Sequence, residues 1–340
     1  MASRLPFFGT LHHFNDFLRT VGTSAIRNAK LRASVIKEIG KFTLPRNKVD
    51  GPYPAGQLFI HKVFAYRGII FCSFNCRIHE KSKVLQKNDS PASESVDTCF
   101  YQVLIHRGDW RHMRMPTDLN AYLGQPNSRG ERSLTVVHGM DCVQHEEVLP
   151  YTSCNVKPID HELFDRIFEL RAGTLDESNL EFGIRKELTQ SYLINQKSWL
   201  VPQEAYKETT NGIEVLVITF YLGANNINGQ LRHCWRYSIR LENLEKTMVT
   251  IRERLLKVFS LNNLQLLNAA GVVGMSPNLT PEEPAIQFSS TINLPQPKGA
   301  HMWGKFKLER EDGTVFDVSI PPVVLENTPE NDCKENANHF

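Results

Sequence analysis

The stretch CWRYSIRLEN, residues 234 to 243, alternates with period two: Trp235, Tyr237, Ile239 and Leu241 point one way, and Arg236, Ser238, Arg240 and Glu242 the other. Successive side chains of an extended strand leave on opposite faces. The pattern therefore predicts a strand with one face in a core and one in water, as in an antiparallel sheet. The same alternation runs through Ile286, Phe288, Ser290, Ile292 and Leu294, and through Met302, Gly304, Phe306 and Leu308. Asp312-Gly313, between KFKLER and VFDVSI, predicts a hairpin turn, because that turn type needs positive φ. Several short strands at this spacing predict a β-sandwich from about Gly212 onward.

Upstream, GPYPAGQLFIHKVFAYRGIIFCSFNCRI (51 to 78) interleaves short apolar runs with Gly and Pro, the spacing of strands joined by tight turns. Phe59 is expected in the core, and Arg67 exposed at a turn where a partner can reach it. CFYQVLI (99 to 105) sets Tyr101, Val103 and Ile105 on one face, and RSLTVVHGMDCVQHEEVLPYTS (132 to 153) supplies another strand pair. KSKVLQKNDSPASESVDT (81 to 98) is polar and predicts a mobile loop. Helical signals occur only in the middle. IDHELFDRIFEL (159 to 170) spaces Ile159, Leu163, Ile167 and Leu170 along one helix face with Asp160 as cap, and the segment from 178 to 200 opens with a Ser178-x-x-Glu181 capping box.

A length of 340 residues favours two domains, and 41% hydrophobic with 22% charged residues is the make-up of a soluble globular protein. Lys plus Arg (39) nearly cancels Asp plus Glu (37), which argues against a dedicated nucleic-acid binder. Seven scattered cysteines fit free thiols in a reducing compartment. Cys72-x3-Cys76 with His79 is half of a zinc pattern, but no second close pair completes it, and small buried thiols are the favoured alternative. No apolar run approaches the ~20 residues that span a bilayer. Nucleophile-elbow, Walker and H-E-x-x-H patterns are missing, so no catalytic residue, metal ligand or cofactor is nominated.

Residues 1 to 37 carry Arg4, Arg19, Arg27, Lys30, Arg32 and Lys37 against the single acid Asp16, with Leu11, Phe14, Leu18, Val21 and Ala25 on one helical face. A mitochondrial transit peptide and linker over 1 to 45 fits this composition better than a secretory signal; a surface-lying first helix is the alternative.

Two further stretches are candidates for contact. In HRGDWRHMRM (106 to 115), Arg107, Arg111, His112 and Arg114 surround Trp110, a mix found at protein-interface hot spots and on single-strand-binding surfaces. The alternative is a solvated basic loop with Trp110 tucked under it. Ala269-Ala270-Gly271-Val272-Val273-Gly274 is one methyl group from a dinucleotide-binding G-x-G-x-x-G. That loop works only at a strand-to-helix junction, and here Pro277, Pro281 and Pro284 follow. Gly271 and Gly274 then form either a plain tight turn or an anion-accepting nest of backbone N–H groups.

The run from WRYSIRLEN through GVVGMSPNLTPEEPAIQFSS to GAHMWGKFKLEREDGTVFDVSIPP, within 205 to 327, resembles the ApaG domain, a fibronectin-III-like β-sandwich. GQLFIHKVFAYRGII, FYQVLI and GMDCVQHEEVLPYTS, within 50 to 155, are similar to the YccV/HspQ (hemimethylated-DNA-binding-like) domain, a small antiparallel β-barrel. The two in this order behind a basic presequence resemble the polymerase delta-interacting protein 2 family. Departures from its pattern are Ala269 in place of Gly, Leu256 in place of an aromatic, and Ser73-Phe74 in place of Pro-Trp.

The resemblance implies a mainly β protein with a helical connector over 156 to 204 and a disordered tail over 328 to 340. It implies a monomeric, cofactor-free, non-enzymatic adaptor of the mitochondrial matrix, with a nuclear pool as a further expectation. Implied partners are the small subunit of DNA polymerase delta, PCNA, PrimPol and mitochondrial ClpX. Weak DNA binding through the first domain and the 106 to 115 loop is the alternative function.

Overall fold

The computed structural model describes residues 39–44, 51–81, 94–114, 139–171, 180–187, 202–227, 229–261, 263–270 and 277–327. Nearly all belong to one compact unit that begins at Gly40. The first domain is built from β1 (Lys41–Phe42), β2 (Leu58–His61), the long β3 (Arg67–Lys81) and β4 (Glu94–Ile105), β5 (Met113–Arg114), β6 (Met140–Gln144) and β7 (Val148–Thr152). β2 pairs antiparallel with β7 and with the start of β3, and β4 pairs antiparallel with β3 and β6.

A β-bulge decides which way β3 faces. Ile70 lies opposite Val103 and Cys72 opposite Gln102, so Phe71 is an extra residue. Before it, Ile70 joins a core with Tyr53, Phe59, Tyr66, Tyr101, Val103 and Ile105. After it, Phe74, Cys76 and Ile78 turn to the other face with Phe100.

That other face does not meet water. The chain passes through the helical turn α1 (Phe164–Ile167), then β8 (Phe168–Leu170) and β9 (Phe182–Ile184), before β10 (Glu204–Thr210). β10 runs parallel to the far end of β3, from Ala205 beside Ile78 to Glu208 beside Lys81. The sandwich follows as β11 (Ile213–Ile227), β12 (Gln230–Asn243), β13 (Val249–Ser260), β14 (Asn263–Ala270), β15 (Asn278–Leu279), β16 (Ala285–Leu294), β17 (Ala300–Arg310) and β18 (Val315–Leu325). One 11-stranded sheet results, in the order β1-β7-β2-β3-β10-β11-β12-β16-β5, with β4 and β6 branching from β3. The second sheet runs β14-β13-β17-β18, with β15 on β13.

The facing sides of the two sheets close over Trp235, Tyr237, Ile239 and Leu241 on one side and Leu256, Val258, Met302, Phe306 and Ile320 on the other, as the alternation predicts. At the β17–β18 hairpin Gly313 has φ 83°, and Asp312 Oδ1 accepts the Thr314 N–H at 2.8 Å. The outward side of the long sheet is apolar as well. Leu216, Ile218, Phe220, Leu222 and Cys234 pack against Phe74, Cys76, Ile78 and Phe100 of the first domain.

Several expectations meet a different outcome. The first-domain strands do not close into a barrel, because β3 and β4 outrun their short neighbours and the far end of β3 pairs with β10. Of the helical connector expected over 156 to 204, residues 172–179, with Ser178 of the capping box, and 188–201 lie outside the described residues, and within the described part Phe164–Ile167 and Lys186–Glu187 are helical. Phe168–Leu170 is extended and pairs with Phe182–Ile184, because that ladder seats Phe164, Phe168 and Phe182 against one another. Asp160 caps nothing there, since α1 begins at Phe164 after Leu163. β4 begins at Glu94, inside the loop expected over 81 to 98. Finally, Arg236, Ser238 and Arg240, expected in water, are buried under the first domain.

Since one sheet and one apolar cluster span both domains, the protein should unfold in a single transition. Phe100→Ala should cost about 3–5 kcal/mol and shift that transition as a whole. Denaturant titration followed by tryptophan fluorescence and far-ultraviolet circular dichroism checks this; two separate midpoints, only one of which moves, would contradict it.

Candidate interaction surface

Arg240 sits where the two domains meet. Its guanidinium donates to Glu147, just before β7, and to Glu242 at 2.5 Å, and lies 5.2 Å above the centre of the Phe64 ring. Glu147 also faces His61 Nε2 at 3.4 Å. His61 Nδ1 accepts the backbone N–H groups of Val63 and Phe64 at 3.1 and 3.2 Å, which leaves the ring proton on Nε2, aimed at the carboxylate. Nearby, Asp141 accepts from Tyr66 Oη and from Gln287 Nε2, both at 2.7 Å. The first domain's acids thus hold the second domain's donors at two points.

Burial pushes the Glu147 carboxyl up, but Arg240 and then His61 outweigh it and hold the group well below the usual carboxylate range. Burial pulls Arg240 down, and Glu147 with Glu242 more than reverses that. Burial, then Asp141, raises Tyr66 well above the ordinary phenol value, so it stays a donor.

The basic stretch after β4 forms a strap across this junction. Arg107–His112 is a 3-10 turn, and β5 lies parallel to β16, Met113 beside Gln287 and Arg114 beside Phe288. Arg67 forks onto Asp109 in that turn, Nε to Oδ2 at 2.7 Å and Nη2 to Oδ1 at 3.0 Å, and its backbone N–H reaches Oδ2 at 3.1 Å. The Arg107 N–H donates to Asp160 O at 2.8 Å. Burial raises the Asp109 carboxyl, but the hydrogen bonds from Arg67 win and lower it overall.

Arg67 is therefore half-buried and committed to an internal partner, in place of the exposed position expected for it. Arg107 is exposed. The backbone brings Trp110, Arg111 and Arg114 into the same strap; the placement of their side chains, and Gly271 and Gly274 altogether, lie outside the described residues. Ala269 and Ala270 close β14, so the glycine-containing hexamer begins in a strand. Asp141, Arg240 and Gln287 were not picked out from the sequence, since a polar residue at every second strand position carries the signature of a solvated face, and Glu147 lies in the short turn before β7, where no strand pattern marks it.

Among the described residues no three His, Cys, Asp or Glu side chains are grouped to hold a metal ion. Burial pushes the Cys76 thiol up to about 12 and Cys234 to about 11, which keeps both protonated near neutral pH. No helix among the described residues is long and apolar enough to cross a membrane.

Breaking the junction pair should be expensive. Arg240→Met leaves Glu147 buried without its cation and should cost about 3–5 kcal/mol, while Glu147→Gln together with Arg240→Met recovers part of the loss. Glu147 has a depressed folded-state pKa, so its contribution is complete above the unfolded carboxylate value of about 4.3 and is lost as the pH falls below it. An acid titration of stability should therefore be shallower for Glu147→Gln than for the parent; identical acid limbs would show that the pair adds nothing.

Comparison with known proteins follows this architecture. A family model described as Hemimethylated DNA-binding protein YccV like matches residues 52–172, and one described as ApaG domain matches residues 224–310. Protein ApaG of Paramagnetospirillum magneticum is 34% identical over 126 residues, which is 37% of this chain and 95% of the bacterial protein. Two mammalian proteins match through both domains. Polymerase delta-interacting protein 2 of Mus musculus is 35% identical over 321 residues, 92% of this chain and 85% of the mouse protein. The protein of that name from Homo sapiens is 35% identical over 316 residues, 90% of this chain and 84% of its own length. With both domains in the same order and identity sustained across them, this chain belongs to the polymerase delta-interacting protein 2 family.

Proposed function

We propose that the protein is a non-enzymatic adaptor that works through the composite surface of its two domains. The chain-long match to polymerase delta-interacting protein 2 carries this, because it covers the first domain and the strap as well as the sandwich. The geometry supports it: a shared sheet and a buried ion pair hold the domains in one relation, and a scaffold needs such a fixed surface.

The proposed partners are the small subunit of DNA polymerase delta, PCNA and PrimPol, and in the mitochondrial matrix the ClpX unfoldase of ClpXP. The basic, acid-poor segment over 1 to 37 supports a matrix address, with a second, nuclear pool. The strap supplies the proposed contact, with Arg107, Trp110, Arg111 and Arg114 as its hot-spot residue types. Arg67 acts through Asp109 as the anchor that shapes the strap.

Proximity labelling in intact cells should recover ClpX or polymerase subunits, and Arg107→Ala with Arg111→Ala should weaken capture roughly tenfold, about 1.4 kcal/mol, at unchanged thermal stability. Recovery of none of these partners overturns the reading. Mass spectrometry of the endogenous chain should find it starting downstream of Ala2; a matrix protein starting at Met1 or Ala2 would remove the transit peptide.

A further inference from the structure

β14, with the sequence NLQLLNAA, ends the second sheet, and among the described residues its outer edge pairs with nothing. It holds no charge, proline or glycine over eight residues. Leu264 and Leu266 are 48% and 57% exposed and stand beside Phe259 and Lys257 of β13. Soluble proteins usually guard such an edge with charges, prolines or bulges, since its free N–H and C=O groups are a template for another strand.

The hairpin settles which groups are free. β13 ends and β14 begins with Ser260 opposite Asn263, and Leu261 has φ 56°. A two-residue hairpin closes on a hydrogen-bonded pair, so Asn263, Gln265 and Leu267 bond inward to β13. Leu264, Leu266 and Asn268 aim their backbone groups at the open edge. The residues with free backbone groups therefore include the two whose leucine side chains stand on the outer face.

We infer that this edge is a two-fold interface between two copies of the chain, in place of the monomer expected from the sequence. With the copies antiparallel and Leu266 on the axis, Leu266 faces its counterpart and Leu264 faces Asn268. Three such pairs make roughly six backbone hydrogen bonds. A shift by one residue would set outer-face side chains against inner-face ones, which the pleat forbids. Charge permits the pairing, since β14 has none. The two Lys257 residues, one strand further in on each side, have backbones about 14 Å apart at the spacing of paired strands, and their flexible side chains can swing their charges apart. A contact one strand wide is at the small end of interfaces, so the dimer should form reversibly with concentration.

Sedimentation velocity of the full chain across a concentration series tests this. The parent should pass from monomer to dimer. Leu266→Lys, which opposes two charges on the axis, should weaken dimerisation at least roughly tenfold. Leu266→Pro should do the same while sparing the β13 ladder, because the N–H it removes faces outward. Circular dichroism and melting confirm that each variant is folded. Leu266→Cys should cross-link through its own position under mild oxidation, since Cα atoms of a hydrogen-bonded antiparallel pair lie about 5.5 Å apart, within reach of a disulfide. A chain monomeric at every concentration overturns the proposal. So does a dimer indifferent to both Leu266→Lys and Leu266→Pro, or an open-ended assembly.

Discussion

The parallel pairing of β10 with the far end of β3 is the contact on which the rest of the molecule depends. It spans only Ala205 to Glu208 opposite Ile78 to Lys81, yet it makes two domains into one sheet. The bulge at Phe71 prepares it. Without that extra residue, Ser73, Asn75 and Arg77 would point toward the second domain, while Phe74, Cys76 and Ile78 would return to the first domain's core. With it, a large apolar face is presented where β11 and β12 can cover it. The sandwich sheet is consequently buried on both sides, although an antiparallel sheet of this class normally leaves one side wet.

Covering β12 on both faces brings charge into the interior. Arg236 lies over Phe220, 4.1 Å from the ring centre, and Arg240 reaches Glu147 and Glu242 together. A lysine would serve poorly at position 240, because a single ammonium cannot fork onto two carboxylates. Buried pairs of this kind are weak evidence for stability, since desolvation consumes most of the attraction. Their effect here is on geometry. Glu147 with Arg240, and Asp141 with Gln287, each fail if the domains slide by one residue, whereas the surrounding Phe, Ile and Leu contacts would tolerate such a slip. The adaptor role proposed for the protein calls for that kind of restriction.

The same fact explains what the sequence made legible and what it hid. Period-two alternation identified the strands and the side of β12 carrying Trp235, Tyr237, Ile239 and Leu241, because those residues can only be core. It could not separate water from a second domain on the other side, since Arg236, Ser238 and Arg240 read as solvated until their partners, far along the chain, are in place. Near residue 164 the helical spacing of Ile159, Leu163 and Ile167 is present, but packing of Phe164, Phe168 and Phe182 overrides it after one turn. Arg67, expected exposed at a turn, instead opens β3 and is half-buried, because Asp109, which fills its fork, lies on the strap 42 residues away.

The edges of the two sheets are treated unequally. The main path of the long sheet ends in β1 and β5, each two residues long and too short to template another strand, and its branch ends in the five-residue β6, which carries Asp141. On the second sheet, β18 carries Asp317, Pro321 and Pro322, and its Val324 N–H is taken by Tyr206 Oη at 3.3 Å. Each of these is a way of closing an edge to pairing. β14 has none of them, although it is long, uncharged and bears the exposed leucines. Among the described residues, the edge left without these devices is where the capacity for strand addition is concentrated. The strap and β14 then divide the work: one joins the two domains of a chain, and the other is left to join chains.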